Sequence, residues 1–309
     1  MKRIIIDCDP GIDDSQAIMM AYLHPEIHIE AIMSVAGNVG IEKTTANILK
    51  VLDVLNADPI PVYRGAAGAL VESSPDASLF HGEDGLGGVD LPVSKRVIED
   101  RPAALGLIEW GKKSPGELSL ITIGPMTNLA LALRLDPELP KRFKNLVIMG
   151  GAYHGRGNTV NVPAEFNIFA DPDAAAVVFK GWPGLTMVSW EVTLANAIPF
   201  GEIFSMLEHE NPRSKFLKQT MAYSNDILGR TYGSEKFFSA DALAMAVMIE
   251  PDIIEHVETR YVQIERCGYL SRGMTVVDWT GSSGNAPNTN IVMKVNYGRF
   301  MALFQTIFS

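Results

Sequence analysis

Short apolar runs that alternate with amphipathic stretches constrain this chain more than any other feature. Ile4–Ile6 is followed by Asp14–Leu23, Ile29–Val35 by Ile41–Leu55, and Leu118–Ile123 by Thr127–Leu135, while Leu146–Met149 and Leu185–Val188 extend the series. A strand buried on both faces reads as a continuous apolar run, and strand–helix–strand repetition lays such strands side by side with helices over both faces. The pattern predicts an α/β fold, an open, mostly parallel Rossmann-like sheet of at least five strands covered by helices. The 309 residues contain no internal repeat, charge block or low-complexity linker, so a single domain spanning 1–309 is expected. Ala66–Asp90 and Tyr153–Pro163 read as long surface loops of the kind that carry function.

Ligands of open parallel sheets collect beyond the carboxyl ends of the strands. Those ends read Asp7 and Asp9, Gly37-Asn38, Gly124 to Asn128, Gly150-Gly151, and Trp190-Glu191-Val192-Thr193, so polar and glycine-rich residues converge on one rim. The first end is the densest, with Asp7, Asp9, Asp13 and Asp14 inside the segment MKRIIIDCDPGIDD. Carboxylates this close repel one another and raise each other's pKa unless a cation or several donors stabilise the charge. Oxygen ligands favour a hard ion, Ca²⁺ or Mg²⁺, over zinc, and Ca²⁺ accepts the higher, less regular coordination. One Asp at position 13 or 14 would serve as a helix cap, but four acids exceed that need. Alternation along a strand predicts that Asp7 and Asp9 share a face.

Composition narrows the partner. A net charge of −10 argues against a nucleic acid polymer, whose binding draws on clustered Lys and Arg. Cys8 and Cys267 are the only cysteines, too few for a disulfide framework and consistent with a reducing, cytoplasmic location. No signal-peptide core of the usual length and no membrane-spanning apolar run are present, so no membrane partner is expected. A small-molecule substrate remains.

The segment DCDPGIDD, Asp7 to Asp14, resembles the Asp-x-Asp-x-Gly-x-Asp-Asp signature of the nucleoside hydrolases, the inosine-uridine preferring N-ribohydrolase family. VAGN (Val35–Asn38), HGEDGLGG (His81–Gly88), GPMTNLALAL (Gly124–Leu133), MGGAYHGRGN (Met149–Asn158), AEFNIFADPDAA (Ala164–Ala175) and DALAMAV (Asp241–Val247) resemble further blocks of that family, in family order. The resemblance implies a Ca²⁺-dependent enzyme that cuts the N-glycosidic bond of ribonucleosides, and a homodimer or homotetramer. It implies that Asp9, Asp14 and Asp241 bind the metal with the backbone carbonyl of Ile123, where many relatives carry Thr. It further implies that Asp13, Asn38, Glu165 and Asn167 clamp the ribose hydroxyls, joined by Asn158. Asn161 competes with Asn158, because this loop is one residue longer than is usual in the family. The N-glycosidic bond breaks through a transition state with oxocarbenium character, so a water must reach C1′, with Asp9 as its general base beside the ion.

The resemblance is weakest at the leaving group. In several branches a His precedes the C-terminal metal-binding Asp; here that residue is Ala240. His81 is the candidate catalytic acid, with Tyr223 and Tyr232 as alternatives and Phe237, Phe238 or Trp190 as stacking partners for the base. Glu191 also stands where relatives commonly carry Asp. Two other readings remain open. A haloacid-dehalogenase-like phosphatase also opens on a strand ending in Asp-x-Asp, although it normally carries Thr or Val where this chain has Gly11. A homologue that binds nucleosides without cleaving them is the non-enzymatic alternative.

Overall fold

A computed structural model describes residues 1–72 and 75–309, without the side chains of Thr231 and Tyr232. Its strands are β1 (Lys2–Cys8), β2 (Ile27–Ser34), β3 (Val62–Tyr63), β4 (Leu118–Thr122), β5 (Asn145–Met149), β6 (Leu185–Val188), β7 (Ile198–Pro199), β8 (Lys236–Phe237), β9 (Ile254–Ile264), β10 (Thr275–Asp278) and β11 (Thr289–Val295). Nine of them form one sheet in the order β10-β9-β11-β6-β5-β4-β1-β2-β3, and β7 and β8 pair separately. From β3 through β1 to β6 and β11 the pairs are parallel, whereas β9 and β10 add antiparallel to that edge. The five expected strands correspond to β1, β2, β4, β5 and β6, and the C-terminal extension is a finding of the structure.

The helices are α1 (Ile12–Leu23), α2 (Ile41–Val54), α3 (Ser78–His81), α4 (Ala103–Lys113), α5 (Thr127–Leu135), α6 (Phe166–Ala170), α7 (Pro172–Gly181), α8 (Trp190–Ala195), α9 (Phe200–Met206), α10 (Pro212–Tyr232), α11 (Ala240–Ile249) and α12 (Tyr297–Gln305). Along β1, Ile4 and Ile6 point into one core and Ile5 into the other, all fully buried, as strict alternation in a sheet covered on both faces requires. Helices α1, α2, α11 and α12 cover the first face, and α4, α5 and α7 the second. Helix α11 is buried along its whole length, which matches its Ala, Met and Leu content. The stretch Ala66–Asp90 is not wholly loop, since it contains α3. Among the described residues no helix is long and apolar enough to cross a membrane.

This winding places the site. From β1 the chain moves outward to β2 and β3 and then returns to β4 on the other side of β1. Loops leaving β1 and β4 therefore diverge over opposite faces, and a crevice opens between them at the carboxyl ends.

Candidate active site

Asp9 follows the last residue of β1, and α1 begins three residues later. Asp14, in the first turn of α1, turns its carboxylate back on that connection, accepting the N–H of Asp9 at 3.1 Å and of Gly11 at 2.9 Å. This is the reciprocal arm of a helix cap, and it fixes the angle at which α1 leaves the sheet. Asn38, beyond β2, donates its amide to the Asp9 carbonyl and to Asp14 Oδ2, both at 3.1 Å. Its backbone N–H reaches Asp9 Oδ2 at 2.7 Å. Neighbouring backbone closes on Asp9 so tightly that a Cβ at Gly37 would lie 2.1 Å from Oδ2, and one at Gly124 2.5 Å from Oδ1.

Asp241 arrives from α11, which packs against α1. Carboxylate oxygens of Asp13, Asp14 and Asp241 lie within 4.8 Å of one another. Asp9 is held just outside this trio by Asn38, and its Oδ1 is buried without a hydrogen-bond partner. No Lys, Arg or His forms an ion pair with any of these four acids among the described residues. Burial, with repulsion from Asp14, pushes the Asp9 carboxyl well up; burial, with repulsion from Asp13, Asp14 and Asp9, does the same to Asp241. Asp14 is raised to about 7 by burial and Asp13 against its backbone donors. Buried oxygens with an uncompensated charge and an orphan acceptor fit a hard divalent cation. Asp13, Asp14 and Asp241 could hold such an ion.

Asp7 takes another direction. Asn128 donates to Asp7 Oδ1 at 2.8 Å and to the Ser34 carbonyl at 2.9 Å, while its own Oδ1 accepts the N–H of Ala66 at 2.8 Å. Burial raises Asp7 to about 7, with Asn128 opposing the shift. Asp9 itself lies one residue beyond the end of β1, so the alternation that predicts a shared face for Asp7 and Asp9 applies only as far as Cys8.

Above the carboxylates opens a cleft of about 900 Å³, with Asp13, Asn38, Ile123, Glu165, Asn167 and Asp241 in its polar wall. Asn167 donates its amide to the carbonyls of Ile123 and Met149, both at 3.1 Å, and so ties the ends of β4 and β5 together. Glu165 caps α6, accepting the Asn167 N–H at 3.0 Å and the Gly151 N–H at 2.9 Å. Asn158 lines the cleft and accepts the Phe166 N–H at 2.9 Å. Asn161 instead donates to the Arg272 carbonyl at 3.1 Å and is not part of the cleft wall.

Burial pushes Glu165 from an ordinary 4.5 up to about 7, against the pull of its backbone donors. Between those values the unfolded chain releases a proton that the folded chain retains, so stability falls as pH rises through the window and then levels off. Asp7 and Asp14 add slopes of the same sign. Glu165→Gln is expected to make the decline shallower, measured by urea unfolding at the two ends of the window; an unchanged slope would show that Glu165 titrates normally.

The opposite wall is largely apolar. Trp190 and Phe238 meet with ring centroids 5.6 Å apart, and both line the cleft with Phe237, Leu228 and Ala240. His81, at the end of α3, accepts the N–H of Ile12 on Nδ1 at 3.1 Å. That bond assigns the proton of the neutral imidazole to Nε2, and burial, opposed by Asp13, lowers the His81 pKa and favours this neutral form. Tyr223 donates its hydroxyl to the Leu79 carbonyl at 3.3 Å and is not part of the cleft wall. The side chain of Tyr232 lies outside the described residues.

A carboxylate cup at the switch point of a parallel sheet, beneath a cleft with one polar and one aromatic wall, defines an α/β enzyme that works on a small polar ligand. Residues 4–302 match the family described as inosine-uridine preferring nucleoside hydrolase, and the chain belongs to that family of nucleoside N-ribohydrolases, enzymes acting on N-glycosyl bonds. It is 34% identical over 308 residues to the inosine-uridine preferring nucleoside hydrolase of Crithidia fasciculata, covering 98% of this chain and 96% of the relative. It is 38% identical over 302 residues to the non-specific ribonucleoside hydrolase RihC of Escherichia coli O157:H7, covering 96% of this chain and 95% of that one. Among solved structures, an inosine-guanosine nucleoside hydrolase superposes with a TM-score of 0.92 at 33% identity, covering 99% of this chain and 98% of its own. These similarities give no support to the dehalogenase-like phosphatase reading.

Proposed function

We propose that this chain hydrolyses ribonucleosides to free base and ribose with a Ca²⁺ ion held by Asp9, Asp14, Asp241 and the carbonyl of Ile123, residues 1–309 working as one unit. The observation that carries this reading is the group of buried acids beneath the cleft, with no ion-paired Lys, Arg or His among the described residues and an orphan oxygen on Asp9. When bound, the ion supplies charge neutralisation and the orientation and acidification of a water. Asp9 takes the proton from the attacking water, a role for which its Oδ1, which accepts no hydrogen bond from the protein, is free. Asp13, Asn38, Asn158, Glu165 and Asn167 hold the ribose hydroxyls, and their fixed hydrogen bonds keep the sugar in a reactive pucker. The surrounding acids favour positive charge as it grows on the sugar.

His81 is the group that meets the departing base. Its Nδ1 accepts the Ile12 N–H, so the neutral ring donates a hydrogen bond from Nε2 that stabilises the charge growing on the base, and the base takes its proton from solvent as it leaves. The methyl group of Ala240 lines the cleft where several relatives have their acid, so this help comes from the α3 side. Assembly as a homodimer or homotetramer in the cytoplasm belongs to the same reading.

A reducing-sugar assay on inosine, uridine, cytidine and adenosine with added Ca²⁺, run beside a generic aryl phosphate, tests the proposal. Ribose release from at least one nucleoside and no phosphate release are expected. Absence of ribose from all four would leave the chain a nucleoside-binding homologue.

A further inference from the structure

Glu191 is not part of the cleft wall, yet it holds one side of the cleft in place. Both of its carboxylate oxygens turn to the backbone of the loop that follows β5. Oε2 accepts the N–H of Tyr153 at 3.0 Å, and Oε1 accepts the N–H groups of His154 at 2.8 Å and Arg156 at 3.4 Å. Between them sits Gly155 in the left-handed region, with φ of +67°. A left-handed residue there curls the segment so that nearby N–H groups face one point, a backbone geometry that binds anions. Here the anion is the chain's own side chain.

The curled segment leads directly into the cleft. Gly157, Asn158, Thr159, Val160 and Val162 line it, as does Arg156, the only Lys or Arg in that wall among the described residues. At its far end the loop is pinned by Thr159 Oγ1 to the Ala164 carbonyl at 3.0 Å and by Asn161 to Arg272 at 3.1 Å. At its near end Tyr153 and His154 pack against Trp279, with centroids 6.1 and 5.3 Å from it. Glu191 is the charged anchor at that near end. Its neighbour Trp190 donates its N–H to the Gly151 carbonyl at 2.9 Å, so the first turn of α8 grips the loop at two points.

We propose that Glu191 is a positioning residue: by gathering the N–H groups of Tyr153, His154 and Arg156 it fixes the loop that carries Asn158, and thereby sets affinity for the nucleoside without touching substrate or metal. This rests on the reading that the cleft binds a nucleoside.

Three substitutions test it. Glu191→Gln keeps the length but replaces one acceptor oxygen with a donating amide, Glu191→Asp keeps the carboxylate one methylene short, and Glu191→Ala removes both. Amide hydrogen exchange of residues 153–156, KM and kcat, Ca²⁺ affinity by titration calorimetry and Tm are measured on each. Glu191→Gln is expected to speed exchange and raise KM by about 10-fold, the equivalent of one lost charge-assisted hydrogen bond. Ca²⁺ affinity, Tm and kcat should stay near those of the parent, and Glu191→Asp should recover part of the KM. Unchanged exchange of these amides would overturn the anchor, as would a loss confined to kcat or to Ca²⁺ affinity. If the parent protein released no ribose, the functional reading would fall, while the exchange measurement would still judge the anchor.

Discussion

Asp9→Asn is expected to lower kcat by at least about 10²-fold, the usual loss when a positioned base is removed. The substitution retains an oxygen for the Asn38 N–H and removes only the charge and the proton acceptor. Its effect on stability should have the opposite sign. Burial and Asp14 raise the Asp9 pKa in the folded state, so the ionised carboxylate disfavours folding at neutral pH and above. A neutral amide relieves that cost, and the metal-free variant should melt no lower than the metal-free parent. Steady-state kinetics and thermal melts on both proteins decide the matter. Near-normal turnover would remove Asp9 from its role as the base.

Removing the metal is expected to have the other large effect. Chelation should abolish ribose release, and restoring Ca²⁺ should recover it, because among the described residues no Lys or Arg forms an ion pair with Asp9, Asp13, Asp14 or Asp241. Ligand held at 100 times its Kd stabilises the folded state by about 2.7 kcal/mol, which for a chain of this size corresponds to a rise in Tm of roughly 5 °C. Melts with chelator, with Ca²⁺ and with Mg²⁺ would rank the ions. If chelator and Ca²⁺ gave the same Tm and the same activity, no metal would occupy the cup.

The parallel half of the sheet was legible because its strands are buried on both faces, which leaves Ile4–Ile6 or Leu146–Met149 as runs that only a core can absorb. Strand β9 was not legible. Its sequence, IEHVETRYVQI, interleaves charges because most of its side chains are at least partly exposed, so no apolar run marks it. Helix α3 was hidden for a different reason: its four residues are too few to show a helical period. The acids near the N-terminus signalled a cation by their density alone, but spacing could not say which of them would meet. Asp13 joins Asp14 and Asp241 because the first turn of α1 projects it toward α11, whereas Asp9 is drawn aside by Asn38. Glu191 gave no chemical signal, since its partners are backbone N–H groups far away in the chain.

The two walls of the cleft come from different kinds of structure, and this has an evolutionary consequence. The polar wall is made from residues beyond the ends of β2 and β4, at the start of α6 and in the first turns of α1 and α11, cross-linked by Asn38, Asn167 and Glu165, so a change there would disturb several elements at once. The facing wall is made of side chains from α3, the start of α8, α10 and the stretch from β8 into α11, and its ties to the strand ends run through backbone groups, the Trp190 N–H on the Gly151 carbonyl and the Ile12 N–H on His81. If the cleft works as proposed, selection could rewrite which base is accepted while inheriting the sugar chemistry intact. Modularity of this kind accords with the names of the relatives, which span inosine-uridine preferring, inosine-guanosine and non-specific enzymes at 33 to 38% identity to this chain.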